Sequence, residues 1–305
     1  MGIAEVIPGV SGGTIAFITG IYETLINSIK AIGPGLVTTF KEDGVSGVWE
    51  EVNGSFLVNL AVGMVAGIVI GVFGVTHILE TYPVLLWAFF FGLIIASAIY
   101  IGKQVNKWGL PQIACLLAGI AIAYYITIAA PSEGNTALWF VFLSGAIAIS
   151  ALILPGISGS FILLLMGMYT IVLQTVRGVL NDFNVEGLII MGVFSMGCLI
   201  GLMTFSRLLS WTFKNYHNAT MAALTGFMIG SLNKIWPWRK AVKGLDEEGN
   251  IVMITPDMEV KKILQEINLS PNSFADQVGE PYLIFAILLM IAGFASVFLM
   301  ERLSK

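Results

Sequence analysis

PGVSGG, residues 8–13, interrupts a hydrophobic run near the start of the chain, and PGISGS, residues 155–160, interrupts another run in the second half. Proline lacks a backbone N–H and glycine adopts dihedral angles that other residues avoid, so each stretch is predicted to end a helix. We call residues 8–14 the first break and residues 155–160 the second break. Both lie in longer matching segments, AEVIPGVSGGTIAFITGIYETL at 4–25 and ALILPGISGSFILLLMGMYTIV at 151–172, which indicates an internal duplication.

The composition places the chain in a membrane. Of its 305 residues, 57% are hydrophobic and 11% are charged, and the mean hydropathy is +0.89. Soluble domains carry about 25% charged residues. Uncharged stretches long enough to cross a hydrocarbon core of about 30 Å are predicted at 56–76, 83–102, 111–130, 187–206, 219–236 and 281–300. We therefore predict an all-α integral membrane protein with a single membrane domain, residues 1–305.

Further matches divide the chain into two repeats. The aligned pairs beyond the breaks are GIVIG (67–71) with GCLIG (197–201), Tyr82 with Tyr216, Gly92 with Gly226, and Ser97 with Ser231. Each half then holds one break followed by three hydrophobic spans, which predicts repeat 1 at 1–130 and repeat 2 at 137–301. A polar insertion at about 237–280 separates the last two spans of repeat 2. We expect it to form a small folded lid outside the cytoplasm, and its sequence indicates no chemistry.

The number of crossings predicts how the repeats are related. The zone 137–176 holds about forty residues, roughly twice what one crossing needs, so it should enter the membrane and return as a hairpin or re-entrant loop. Three further spans make the number of crossings in each half odd, which predicts an inverted repeat, an arrangement typical of transporters. The alignment places the start of the matching first leg about ten residues before Met1, so we expect that leg to be incomplete.

Basic residues predict the orientation. With the N- and C-termini in the cytoplasm, the short outer loops hold only Arg177, and the cytoplasmic segments hold most of the basic residues that lie outside the insertion. The predicted cytoplasmic set is Lys30, Lys41, Lys103, Lys107, Arg207, Lys214, Arg302 and Lys305. The sequence therefore predicts a multi-pass protein with both termini inside.

The two breaks have the composition of an anion site. After each Pro-Gly, a new helix is expected whose first N–H groups lack internal partners, and such a helix end binds anions. Glycine lets a ligand approach the backbone, and hydroxyl groups add donors. Small residues at a break also serve helix packing, which is the alternative interpretation. The candidate binding residues are Pro8, Gly9, Ser11, Gly12, Gly13, Thr14, Pro155, Gly156, Ser158, Gly159 and Ser160.

Charged residues at or near the hydrophobic zones are few, which makes Glu5, Arg177 and Arg207 candidates. Glu5 lies three residues before Pro8, and an ionisable group at that depth could carry a proton or pair with a cation such as sodium. Arg177 and Arg207 could hold a phosphate through two parallel hydrogen bonds, or could simply anchor helix ends at the interface. Both cysteines fall inside predicted spans and are expected to pack there. We expect no catalytic residue, metal or cofactor.

The segment GIAEVIPGVSGGTIAFITGIYETLI, residues 2–26, resembles the bacterial polyprenyl-phosphate transporters, a family first recorded as a domain of unknown function. The similarity continues through NGSFLVNL, FFFGLIIAS and ILPGISGSFILLLMGMY and covers nearly the whole chain outside the insertion. The resemblance implies a protein of the bacterial cytoplasmic membrane that returns undecaprenyl phosphate, the lipid carrier of cell-wall glycans, from the outer to the inner leaflet. The breaks would bind the phosphate, Arg177 or Arg207 would assist, and Glu5 would couple the movement to protons or sodium.

Two other functions are open at this point. Membrane phosphatases that act on undecaprenyl diphosphate also use inverted repeats and a PGxSRS-like loop, but here Gly12 and Gly159 stand where an arginine is expected, and no histidine lies near either break. A transporter of a small soluble anion would need the same breaks. The expected partner is a phospholipid-like anion in the membrane rather than a nucleic acid, and the sequence does not indicate an oligomeric state.

Overall fold

The computed structural model describes residues 1–6, 11–129, 131–132, 134–182, 184–245, 251–254 and 262–303. The first half contains α1 (Gly2–Glu5), α2 (Gly12–Ile18), α3 (Tyr22–Ala31), α4 (Leu36–Glu51), α5 (Gly54–Ile70), a π-helical turn (Gly71–Val75), α6 (Thr76–Thr81), α7 (Pro83–Gly102) and α8 (Leu110–Ile128). The second half contains α9 (Leu138–Ile153), α10 (Gly159–Leu165), α11 (Met168–Asp182), α12 (Val185–Ser231), α13 (Pro271–Gln277), α14 (Leu283–Leu303) and the strands β1 (Arg239–Leu245), β2 (Ile251–Met253) and β3 (Lys262–Asn268).

The helices confirm the prediction of a multi-pass helical membrane protein. Among the described residues, 5 helical stretches are long and apolar enough to cross a membrane. They are Gly54–Leu79, Pro83–Gly102, Leu110–Ile128, Val185–Ser231 and Leu283–Met300. These stretches fall on the predicted spans, except that α12 joins the spans predicted at 187–206 and 219–236 and ends at Ser231.

Two tyrosines interrupt helices at matching places in the two halves. Tyr82, between α6 and α7, has φ −135° and ψ 58°. Tyr216, inside α12, has φ −136° and ψ 41° and divides that helix at a kink. Neither pair of angles is helical, so the chain leaves the helix at both residues. The sequence alignment pairs these two tyrosines, and the backbone angles at the paired positions are similar.

The same series of elements follows each break. Ser11 and Ser158 are the N-caps of two seven-residue helices, α2 and α10. A glycine with positive φ stands two residues after the end of each short helix, Gly20 at 73° and Gly167 at 68°, and a longer helix follows. A residue with a Cβ rarely adopts such a φ, so glycine is needed to turn the chain. The turn in the second half is sharp, because α10 and the segment Met168–Val179 are bent by 104°.

Glycines bring the leg before each break against a long helix of its own half. On α5, Gly67 lies against Gly2 and Ile3 of α1. On α12, Gly197 and Gly201 lie against the backbone of α9. Small residues let helix backbones approach closely in a membrane, so these glycines explain the aligned GIVIG and GCLIG sequences.

The helix α7 reaches from the insertion to the opposite end of the bundle. Near its start, the Trp87 ring lies 4.2 Å from the guanidinium carbon of Arg239 in β1. Just after its end, the Lys103 ammonium lies 5.6 Å from the ring centroid of Phe298 in α14. The insertion and the Lys103 loop are therefore at opposite ends of the bundle.

The part of the chain in the predicted spans is helical as predicted, and the insertion adds a β-sheet that the sequence analysis did not predict. Its three strands form an antiparallel sheet in the order β2-β1-β3. Trp238 attaches the sheet to the helical bundle by donating a hydrogen bond of 2.9 Å to the carbonyl oxygen of Pro281. In hydrocarbon an open sheet edge would leave backbone groups unpaired, whereas a polar segment outside the lipid can leave its edges to water. The polar composition that distinguished the insertion therefore also permits a sheet there.

The core lies where the two halves meet. The rings of Phe17 in α2 and Tyr22 in α3 stack with their centroids 3.8 Å apart. Phe213 of α12 packs edge-on against Tyr22 at 6.0 Å. All three side chains are buried. This aromatic cluster holds the elements that follow the first break against the long helix of the second half.

Candidate functional site

The first break contacts the end of the helix that leads into the second break. The Ser11 hydroxyl donates hydrogen bonds to the carbonyl oxygens of Leu154, at 3.0 Å, and Leu152, at 3.3 Å. The buried Tyr22 hydroxyl donates to the carbonyl oxygen of Ile153 at 3.2 Å. Carbonyl groups at a helix C-terminus lack intrahelical partners, so these bonds provide hydrogen-bond donors for the last carbonyl groups of α9. The structure therefore brings the two predicted breaks together.

A bond in the reverse direction joins the breaks a second time. The backbone nitrogen of Gly156 donates to the Thr14 hydroxyl at 3.2 Å. Gly13 packs so closely on the carbonyl oxygen of Ile153 that a Cβ there would collide with it. Gly12, Gly13, Thr14, Pro155 and Gly156 are all buried. The small residues at this junction thus have a packing role in addition to any binding role.

The start of α2 already holds a carboxyl group of the chain. The backbone nitrogen of Gly12 donates to Glu5 Oε1 at 2.9 Å, and that of Gly13 donates to the Ser11 hydroxyl at 3.1 Å. A carboxylate at a helix N-terminus satisfies a free N–H group and is stabilised by the helix dipole. Glu5 therefore lies where the sequence predicts that a substrate anion would bind.

The start of α10 is more open. The hydroxyl oxygens of Ser158 and Ser160 lie 2.9 Å apart, and the backbone nitrogen of Phe161 donates to Ser158 at 3.5 Å. Ser160 is exposed and Ser158 is half-buried. In the part of the chain that the structure describes, no carboxylate bonds to Gly159 or Ser160. The two breaks thus differ, one closed by Glu5 and one with accessible hydroxyl groups.

The other predicted site residues lie apart from this junction or outside the described residues. Arg207 on α12 donates to the carbonyl oxygens of Met203, at 3.1 Å, and Ile32, at 3.0 Å, and so joins α12 to the end of α3. Arg177 is exposed on α11, and within the described residues it makes no hydrogen bond or ion pair. Pro8 and Gly9 lie outside the described residues.

A second polar cluster was missed by the sequence analysis. It lies under the insertion and consists of Lys234, Arg239 and Glu266, with Glu266 Oε2 3.2 Å from Lys234 Nζ and 2.8 Å from Arg239 Nη1. The stretch WPWRK, residues 236–240, could have indicated this cluster. Two tryptophans beside basic residues at the end of a span favour cation–π contacts and an ordered structure over a free loop.

The described residues contain no group of three or more histidine, cysteine, aspartate or glutamate side chains that could hold a metal ion. Cys115 and Cys198 are free thiols. The hydroxyl groups at the second break and the cations of the cluster under the insertion are donors that suit the binding of an anion.

Comparisons with known proteins give two relatives named polyprenyl-phosphate transporter. The protein from Vibrio cholerae is 42% identical over 306 aligned residues, which span 100% of this chain and 94% of the relative. The protein from Staphylococcus aureus is 31% identical over 251 residues, which span 78% of this chain and 83% of the relative. A family model described as undecaprenyl phosphate translocase-like matches residues 1–252. No solved structure matches the chain.

Proposed function

We propose that this chain, which belongs to the undecaprenyl phosphate translocase-like family, moves undecaprenyl phosphate from the outer to the inner leaflet of the bacterial cytoplasmic membrane. The carrier would thereby return to cell-wall synthesis. The observation that carries the proposal is the junction of the two breaks, where hydrogen-bond donors and acceptors from both halves meet. A phosphate monoester cannot cross hydrocarbon without such groups, because burying an unpaired charge is very costly.

The difference between the breaks supports an exchange mechanism. Ser160 is exposed and Ser158 is half-buried, so their hydroxyl groups are accessible to an incoming head group, whereas Gly159 is buried. At the first break the phosphate would have to displace the Glu5 carboxylate from Gly12. Protonation of Glu5 would weaken that bond, since a charged acceptor binds an N–H more strongly than a neutral one. Glu5 thus couples head-group binding to a proton in this mechanism; sodium coupling is the alternative.

The directions of packed helices support the inverted arrangement of the repeats. The rings of Tyr82 and Tyr282 lie 6.3 Å apart at the starts of α7 and α14, and Lys103 meets Phe298 at their other ends, so the two helices run parallel. α7 belongs to the first half and α14 to the second. When the second half is inverted relative to the first, the predicted order of crossings runs both helices from the outside to the cytoplasm, which agrees with their parallel packing. The sheet at one end and Lys103 with Arg302 at the other fit a cytoplasmic location of both termini.

A groove on the side of the bundle supports a path for the isoprenoid tail. It lies between α9 and α12, has a volume of about 390 Å³, and is lined mainly by apolar side chains such as Ile147, Ile200 and Leu208. Ser150, about one helical turn before the second break, also lines it. A tail in this groove would stay in contact with lipid while only the head group enters the protein.

The experiment that tests the proposal uses the full chain in proteoliposomes with a polyprenyl phosphate placed in one leaflet. Leaflet exchange and release of free phosphate are followed together. We expect exchange without release, and its loss when Ser11→Ala and Ser158→Ala are combined. Release of phosphate from a polyprenyl diphosphate would show an enzyme instead. Exchange that survives the double substitution would remove the breaks from the mechanism.

A further inference from the structure

A polar cavity lies between the sheet of the insertion and the ends of two membrane helices. Its volume is about 250 Å³, enough for roughly eight water molecules at about 30 Å³ each. Thr127 to Ala129 at the end of α8 line one side, and Gln265 to Asn268 of β3 line another. Phe161, the residue after Ser160 in α10, also lines it. The cavity therefore reaches the helix that begins at the second break.

The charges of the described residues that line this cavity are unbalanced. Lys234 and Arg239 both contact one oxygen atom of Glu266, at 3.2 and 2.8 Å, so two cations face a single carboxylate. The exposed fractions of the Lys234 and Arg239 side chains are 19% and 7%. Burial lowers the pKa of Lys234, and the Glu266 carboxylate opposes that shift. A second anion in the cavity would stabilise the charged ammonium further.

The Arg239 guanidinium is held in place but not fully satisfied. Its Nη1 donates to the carbonyl oxygen of Lys234 at 2.7 Å and to Glu266, and its plane lies over the Trp87 ring. Its Nε is buried and has no hydrogen-bond partner in the described structure. A buried donor without an acceptor costs free energy, so the site as it stands lacks an acceptor.

Attachment of the insertion does not account for these features. Asn268 donates to the carbonyl oxygen and side-chain oxygen of Asn233, and Trp236 donates to the carbonyl oxygen of Leu269, so neutral groups already join the sheet to the end of α12. A purely structural ion pair would need one cation for one carboxylate. Attachment of the sheet therefore does not explain why two cations face one carboxylate, why Arg239 Nε has no partner in the described structure, or why a cavity lies there.

We propose that this cavity is a second anion site, which binds the phosphate group of a phosphate monoester or inorganic phosphate between Lys234 and Arg239. The inference rests on the proposed transport function for its role, which is to receive the head group before it passes to Ser158 and Ser160. Lys234 is positioned for that transfer, because its ammonium lies 4.7 Å from the Phe161 ring centroid. The planar arginine guanidinium provides hydrogen-bond donors in fixed directions, and the flexible lysine side chain provides donors that can follow the phosphate.

The test measures binding of inorganic phosphate and of a polyprenyl phosphate to the full chain in lipid nanodiscs. In Lys234→Gln we expect about tenfold weaker binding at this site. In Glu266→Gln, which removes the competing carboxylate, we expect about tenfold tighter binding. Lys243→Gln is the matched control for Lys234→Gln, because Lys243 is exposed on β1 and the change in charge is the same. Misfolding cannot produce effects of opposite sign at neighbouring residues.

The two probes separate the two sources of phosphate. If both probes follow the expected pattern, the cavity recognises phosphate itself; if only the polyprenyl phosphate does, it recognises the lipid head group. Unchanged affinity for both probes in both variants would overturn the inference. Its failure is distinct from failure of the proposed function, because leaflet exchange that depends on Ser11 and Ser158 can be present without this site. Conversely, if the two variants change phosphate binding as expected but the protein shows no leaflet exchange, the anion site is supported and the proposed transport function is rejected.

Discussion

The Glu5 carboxyl group, which precedes the first break, accepts a hydrogen bond of 2.9 Å from the backbone nitrogen of Gly12 within that break. A group of the chain thus occupies the position at the first break that a substrate anion would take. The second break has no such group among the described residues. The two breaks are similar in sequence but differ in whether a side chain of the protein competes with a bound anion. Substitution of Glu5 tests this difference directly.

Glu5→Gln should strengthen head-group binding, by about tenfold, because a neutral amide competes less well for the Gly12 nitrogen than a carboxylate does. The same substitution should remove the pH dependence of leaflet exchange that arises from Glu5. Binding and exchange are measured across a pH series. The matched control is Glu23→Gln, since Glu23 is exposed and lies 3.8 Å from His217, away from the breaks. Wild-type affinity and pH dependence in Glu5→Gln would rule out Glu5 as the coupling residue.

Ser11→Ala and Ser158→Ala should differ in their effect on stability. Ser11 is 2% exposed and bonds to two carbonyl oxygens, so its loss should lower the free energy of unfolding by about 1–3 kcal/mol. The Ser158 hydroxyl bonds to the exposed Ser160 and caps α10 only through a long bond of 3.5 Å from Phe161, so its loss should cost less stability than the loss of Ser11. Thermal unfolding in detergent measures both variants. Equal losses of Tm would show that the two serines have the same structural role.

Gly13→Ala should loosen the junction between the two halves. Its Cβ would press on the carbonyl oxygen of Ile153, and overpacking of this kind costs about 1–3 kcal/mol. Gly63→Ala is the control, because nothing lies within 4 Å of a Cβ at that position. Thermal unfolding and leaflet exchange should both decline in Gly13→Ala and remain at wild-type values in Gly63→Ala. A fully stable and active Gly13→Ala protein would mean that the breaks do not need this contact.

Arg207→Gln should lower Tm and leave head-group affinity unchanged, because its guanidinium is bound to the carbonyl oxygens of Met203 and Ile32. Arg177→Gln should keep the wild-type Tm, since Arg177 is exposed. Phosphate binding is measured beside unfolding for both variants. Reduced affinity in either variant at unchanged Tm would instead support the role that the family resemblance implied for these arginines.

Much of the architecture follows from local sequence. Pro-Gly and the following serines predict where helices end and begin, and Ser11 and Ser158 are indeed the N-caps. The alignment pairs Tyr82 with Tyr216, but only the structure shows that each of them interrupts a helix. The helix ends and starts at the breaks depend on neighbours in the chain, so the pattern of residue types is enough to predict those.

Contacts between distant segments could not be predicted in the same way. The pairing of Glu5 with Gly12 depends on how α1 is oriented after the chain turns, which the spacing alone does not specify. The sheet was missed because the insertion has no strong alternation of polar and apolar residues. The cavity beneath it was missed because Lys234 and Arg239 meet Glu266 from a different strand.

The bond between Ser11 and Leu154 joins residues that are 143 positions apart in the chain. A ribosome adds about 5–20 residues per second, so the acceptor for Ser11 is made about 7–29 s after the serine itself. During that interval the first break has no partner from the second half, and the polar groups that will close the junction face either lipid, water or the insertion machinery. Completion of the first half therefore waits for synthesis of the second, and a protein truncated before α9 would leave this junction permanently open.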